Sequence, residues 1–209
     1  MREILPQIFE HNKKLLTLST DKFFSEEIVK VNDKKYREWN PTRSKLAAAI
    51  VKGLKVDIKP GDNILYLGAA HGYTPSFIAC NKLFAVEFAP RVARELVILS
   101  EKKKNILPII ADANQPNTYY HLPQAVDIVY QDIAQRNQVE ILVKNCNLFL
   151  KKNGLAMIAV KSRSIDVTQK PGKIFADVKR QLEEHFKILD YRNLEPMQKD
   201  HAFFVCRKR

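Results

Sequence analysis

Beyond residue 62 the chain alternates short apolar runs with longer stretches in which apolar residues recur every three or four positions. The runs 63–67, 83–87, 106–110, 126–131 and 154–161 carry almost no polar face. Strands of that kind belong to a parallel sheet covered on both sides. The stretches 90–103, 137–150 and 173–185 have the helical period and supply the cover. Two further strands, 186–194 and 202–207, are joined by a loop containing Pro196 and predict a terminal antiparallel hairpin. The first forty residues differ. Short apolar clusters (Ile4–Leu5, Ile8–Phe9, Leu15 to Leu18, Phe23–Phe24, then Ile28, Val29 and Val31) predict short strands, with a hairpin at Asn32–Asp33. Asn40–Pro41 breaks the chain, and Thr42 or Ser44 can cap a helix to about Lys52 with Leu46, Ala49 and Ile50 on one face. The expected architecture is α/β: a small β-rich region over 1–40, too small for its own core, packed on a covered sheet over 41–209.

Composition narrows the class. Of 209 residues, 45% are apolar and 28% charged, with 6 Gly and 10 Pro, which excludes collagen-like and wholly disordered readings. The longest apolar stretches, 64–70 and 154–160, are too short to cross a bilayer, and no secretory pattern follows Met1, so a soluble, intracellular chain with no membrane partner is expected. Cys80, Cys146 and Cys206 are odd in number and widely spaced, which argues against a disulfide framework and against a metal site. The net charge of +12 is unevenly placed. Basic residues outnumber acidic ones 12 to 7 up to Lys55 and 14 to 7 from Lys151, while the middle holds 9 of each. A neutral middle between basic ends suits a ligand-binding core with polyanion-facing surfaces, although a lysine-rich solvated surface gives the same count.

Ligands of such sheets bind outside the carboxyl ends of the strands. There the first strand of the alternating part runs into Leu67-Gly68-Ala69-Ala70-His71-Gly72-Tyr73-Thr74, where small residues let the backbone turn sharply beside a ligand. Gly68 and Gly72 lack the third glycine of the dinucleotide fingerprint. Glu87 ends the next strand and can accept hydrogen bonds from both ribose hydroxyls. Asp112-Ala113 follows the third, where a carboxylate can meet an adenine amine, and Asp132-Ile133-Ala134-Gln135 follows the fourth. Each acid alone is more often a cap or a surface residue. Together they describe a pocket for an adenosine-containing cofactor. NAD would bring a pyrophosphate and favour the full glycine signature. S-adenosylmethionine carries a sulfonium and an ammonium, which Asp132 suits better, so the residues favour S-adenosylmethionine.

Two stretches carry a family resemblance: Tyr36-Arg37-Glu38-Trp39-Asn40-Pro41 and Arg43-Ser44-Lys45-Leu46-Ala47-Ala48-Ala49. With Leu65 to Ala70, Ala85 to Phe88, Pro108 to Ala113, Asp132 to Gln135, Val160-Lys161 and Asp200-His201-Ala202, the chain resembles fibrillarin, in its short archaeal-type form, over roughly 36–209. The resemblance implies a Rossmann-like methyltransferase fold and S-adenosylmethionine-dependent 2′-O-methylation of rRNA and tRNA. It further implies work inside a box C/D guide ribonucleoprotein, with a Nop5-type scaffold and an L7Ae-type kink-turn-binding protein. The family's cofactor positions fall on Gly68, Tyr73, Thr74, Glu87, Phe88, Asp112, Ala113, Asp132, Ile133, Ala134 and Gln135, with Phe88 against the adenine. Its catalytic set falls on Lys45, Asp132, Lys161 and His201. The segment 74–83 leaves little of a first helix, and no Gly/Arg-rich nucleolar extension is present, which implies a cytoplasmic protein.

In that chemistry a lysine would lower the pKa of the ribose hydroxyl or act as base, and Asp132 would orient it. A stand-alone methyltransferase on another RNA or a small molecule, a non-catalytic assembly subunit and, more distantly, a nicotinamide oxidoreductase are the competing readings.

Overall fold

The computed structural model describes residues 1–19, 21–123 and 125–209 and contains two sheets. The first is antiparallel, five-stranded and ordered β1-β2-β3-β5-β4, from β1 (Arg2–Leu5), β2 (Ile8–His11), β3 (Lys14–Leu18), β4 (Ile28–Val31) and β5 (Lys34–Glu38). Two of its tight turns take positive φ at both central residues: Asn12 and Lys13 between β2 and β3, Asn32 and Asp33 between β4 and β5. The second hairpin was legible in advance; the first was not, because Lys13 gives no turn signal.

The second sheet has seven strands in the order β11-β12-β10-β9-β6-β7-β8. Its parallel part is β6 (Asn63–Leu67), β7 (Lys82–Glu87), β8 (Ile106–Ile110), β9 (Val126–Gln131) and β10 (Leu150–Lys161). Strand β11 (Phe186–Asn193) pairs antiparallel with β12 (His201–Lys208), which is itself inserted antiparallel against β10. The helices are α1 (Lys45–Val51), α2 (Pro90–Lys102), α3 (Gln138–Phe149), the single turn α4 (Ser162–Ile165) and α5 (Pro171–His185). No described helix is long and apolar enough to cross a membrane.

Alternating residues of each parallel strand feed two cores. Ile64, Tyr66, Ile128 and Tyr130 face α1, the α2 leucines Leu96 and Leu99, and the small sheet. Leu65, Leu67, Val129 and Ile158 face α3 and α5. The crossover from β6 to β7 holds only a 3₁₀ turn, Pro75–Phe77, as the short 74–83 segment predicts. The small sheet fills the space a helix would have covered. Trp39 stacks on Phe77 with ring centroids 5.2 Å apart, and Ile8 and Leu15 join the same core.

That junction is fastened by a buried ion pair. Arg37 Nε donates to Glu26 at 2.7 Å, both side chains being 1% exposed. The guanidinium also donates to the Ser76 carbonyl and hydroxyl, each at 2.9 Å, and lies 4.0 Å from the Phe77 ring centroid. Replacing Arg37 by methionine strands the Glu26 carboxylate away from water. The expected cost is about 3–5 kcal/mol of unfolding free energy, measured by denaturant titration. A loss below about 1 kcal/mol would show the pair to be dispensable.

Candidate active site

The strand order reverses between β6 and β9, so the loops leaving these strands separate and open a cleft at the carboxyl edge. Its volume is about 290 Å³. Gly68, Ala70, Glu87, Phe88, Asp112, Ala113, Asp132, Ile133, Ala134 and Gln135 all line it. Sequence reasoning thus placed most of its cofactor positions in one cavity.

Each lining group is held for a local reason. Gly68 has φ +79°, and a Cβ there would run into the Asp132 carbonyl oxygen and lie 2.7 Å from Ile133 Cγ2. The two loops can approach only because that position is glycine. Glu87 is fixed at both oxygens, accepting from the Ala70 and Ala89 amides at 2.9 Å each. Asp112 accepts the Asn114 amide at 2.8 Å. Phe88 is 69% exposed at the cleft wall, so its ring is available to a ligand and is no part of the core.

Two expected cofactor residues do not line this cavity. Tyr73 turns toward the small sheet, where its hydroxyl accepts the Asn40 amide at 3.2 Å and the Arg43 guanidinium sits 4.2 Å from its ring centroid. Thr74 is buried and donates to Ser44 Oγ at 3.0 Å. Neither lines the cleft. Gly72 likewise makes its close approach to Leu96 and Leu99 of α2, with no ligand-facing role.

What these residues do is seat α1. Ser44 is its N-cap and accepts from the Ala47 amide, so the Thr74–Ser44 bond ties the helix start to the loop after β6. Lys45, the first helical residue, is thereby delivered to Asp132, with its Nζ 2.9 Å from Oδ1 and 3.0 Å from Oδ2. Beneath Asp132 the paired residues Tyr66 and Tyr130 stack with centroids 4.2 Å apart. Burial first, and then the Asp132 charge, push the pKa of Tyr66 far up, so this phenol stays neutral. The Tyr66–Tyr130 floor escaped sequence reasoning, because a tyrosine inside an apolar run reads as core.

Lys161 ends β10, and His201 begins β12 directly opposite it in register. The antiparallel insertion of β12 is what brings the start of a strand to an edge otherwise made of strand ends. His201 Nδ1 is 2.6 Å from the Lys199 carbonyl; a carbonyl only accepts, so Nδ1 carries the hydrogen and Nε2 is left as an acceptor. Burial lowers the His201 pKa below its ordinary value, and the charges of Lys45 and Lys161 add to this, while the bond to the Lys199 carbonyl and the Asp132 charge oppose it. Lys45, Asp132 and Lys161 therefore all lie within electrostatic reach of His201, and Asp132 lines the cleft. A carboxylate, two ammonium groups and a neutral imidazole in that place can orient a hydroxyl and receive its proton.

The cofactor role expected for Glu87 from the sequence has a direct check. Glu87→Ala removes the acceptor that two amides hold in place and should weaken S-adenosylmethionine binding about tenfold or more in calorimetry. Unchanged affinity would rule out the ribose contact.

The chain matches the family model described as Fibrillarin over residues 5–209. It is 48% identical, over 219 aligned positions, to the fibrillarin-like rRNA/tRNA 2′-O-methyltransferase of Methanocaldococcus jannaschii, covering 98% of this chain and 95% of that one. Identity to the Pyrococcus horikoshii protein of the same name is 49%, covering 88% and 84%. Among solved structures, one titled as a fibrillarin/Nop5p complex superposes with a TM-score of 0.94 at 37% identity, over 100% of both chains. Aeropyrum pernix fibrillarin with natively bound S-adenosyl-L-methionine superposes with a TM-score of 0.84 at 40% identity, over 92% of this chain and 88% of that one.

Proposed function

The chain belongs to the fibrillarin family, and from that premise we propose that it is an S-adenosylmethionine-dependent RNA ribose 2′-O-methyltransferase, the catalytic subunit of a box C/D guide ribonucleoprotein acting on rRNA and tRNA. The observation that carries this reading is the convergence of Lys45, Asp132, Lys161 and His201 on the edge beside the cleft.

The residues present fit the cofactor. Gly68 leaves the space that a Cβ would fill, Glu87 and Asp112 offer acceptors for ribose and adenine, Phe88 offers a free ring, and Asp132 offers a negative charge for the cationic end. When bound, S-adenosylmethionine supplies a methyl group on a positively charged sulfur. Everything else falls to this chain. Asp132 holds Lys45 through both carboxylate oxygens and so points its ammonium at the acceptor side. Lys45 and Lys161 polarise the 2′-hydroxyl and favour its oxyanion. The hydroxyl proton leaves to Nε2 of His201, which burial keeps neutral. Holding acceptor and donor in line supplies much of the acceleration.

The basic flanks suit RNA, whose sequence is chosen by guide pairing while protein reads phosphate, shape and the sugar hydroxyl. The full match to the fibrillarin of the Nop5p complex supports a Nop5-type scaffold as direct partner. An L7Ae-type protein would be reached through RNA and scaffold. The deciding experiment reconstitutes the chain with scaffold, kink-turn-binding protein and guide RNA, and maps radioactive methyl by nucleotide. The expected product is one 2′-O-methyl ribose opposite the chosen guide position. Methylation of a base, or transfer indifferent to the guide, would overturn the reading.

A further inference from the structure

Strand β10 outruns its neighbour. The register with β9 ends at Ile158↔Gln131, yet β10 continues three residues to Lys161. On its other side β12 keeps pace, with Lys161 opposite His201. The bond from the Ser162 amide to the Asp200 carbonyl, 3.1 Å, makes Lys161 and His201 a pair that does not exchange its own backbone hydrogen bonds. The N–H and C=O of Lys161 therefore point away from β12, toward the side that β9 has already left. At this part-buried position they are left without strand partners.

We propose that Gln138 is a positioning residue for Lys161: its side-chain amide stands in for the missing strand and fixes where β10 delivers the lysine. Gln138 Oε1 accepts from the Lys161 N–H at 3.4 Å, and Gln138 Nε2 donates to the Lys161 carbonyl at 3.3 Å. These are the two bonds a neighbouring strand would have made. Gln138 is the first residue of α3 and is buried. Its own carbonyl accepts from Gln131 Nε2 at 2.7 Å. Gln131 is fully buried and directly precedes Asp132. Two amides thus couple the backbone carrying Asp132 to the backbone carrying Lys161, and neither side chain lines the cleft. An apolar residue at 138 would serve the surrounding core of Val139, Ile141 and Leu142 equally well. Both ends of the Gln138 amide are used, while Gln131 uses its Nε2 and leaves Oε1 without a partner among the described residues.

The proposal rests on the reading that Lys161 acts on the ribose hydroxyl, so its test includes Lys161→Met. Single-turnover methyl transfer is measured in the reconstituted ribonucleoprotein at saturating S-adenosylmethionine. Gln138→Leu should slow transfer about ten- to a hundredfold, the penalty of a misplaced reacting group, while cofactor Kd and substrate KM stay within about twofold. Gln138→Glu gives a second readout. As a neutral acid it offers one acceptor and one donor, like the amide; ionised, it turns an oxygen against the Lys161 carbonyl. Burial favours the neutral acid, so the ratio of its rate to wild type should rise about tenfold from about pH 8 to about pH 6. If Gln138→Leu does not fold, this ratio decides alone. Lys161→Met inactive with both Gln138 variants at the wild-type rate, or a flat ratio, overturns the positioning role and leaves the catalytic reading standing. Lys161→Met as active as wild type overturns both.

Discussion

Asp132→Asn is expected to slow methyl transfer by about two to three orders of magnitude, the range found when one preorganised charge or donor is removed from a reacting centre. Asparagine keeps the size of the side chain and so preserves the cleft wall. What it removes is the charge to which Lys45 is bound through both oxygens, at 2.9 and 3.0 Å. Lys45 would then lose its fixed direction, and the ammonium groups around His201 would lose the negative charge that offsets them. Cofactor affinity should fall less than the rate, because Glu87, Asp112 and Phe88 remain. Single-turnover assays paired with calorimetric Kd values separate the two. A variant that retains a third of the wild-type rate would remove Asp132 from the reaction.

Gly68→Ala should be still more severe for cofactor binding. At φ +79° any side chain is strained, and here the added carbon meets the Asp132 carbonyl and Ile133. The two loops would have to part, which destroys the shape of the cleft. Loss of about a hundredfold in S-adenosylmethionine affinity is expected, together with about 1–3 kcal/mol of stability from the strained backbone. Gly172→Ala is the control: its Cβ would meet nothing within 4 Å, so binding should be unchanged and the melting temperature no lower. Normal cofactor affinity in Gly68→Ala would place the ligand elsewhere.

The strands and the strand-end acids were legible for one reason. A parallel strand buried on both faces must be written as a short apolar run, and the first carboxylate after the run marks the edge. Hence Glu87, Asp112 and Asp132 could be read directly. Tyr73 and Thr74, expected at the cofactor from the family resemblance, do not line the cavity although they follow Gly68 closely in the sequence. The chain reverses at Gly72 and presents both to α1 and the small sheet instead. The start of β10 was missed because Lys151-Lys152-Asn153 looks like a turn, and a one-turn helix such as α4 has no room to show a period. Gln131 and Gln138 gave no signal at all. Their value lies in which backbone groups lack partners, and that depends on β10 running three residues past the end of its register with β9.

The placement of β12 bears on how the protein is made. Every residue lining the cleft lies between Gly68 and Gln135, so all of them precede both Lys161 and His201 along the chain. The cleft is thus built from earlier segments, whereas the Lys161–His201 pair forms only when the final strand takes its place between β10 and β11. Such a late, non-local insertion closes slowly.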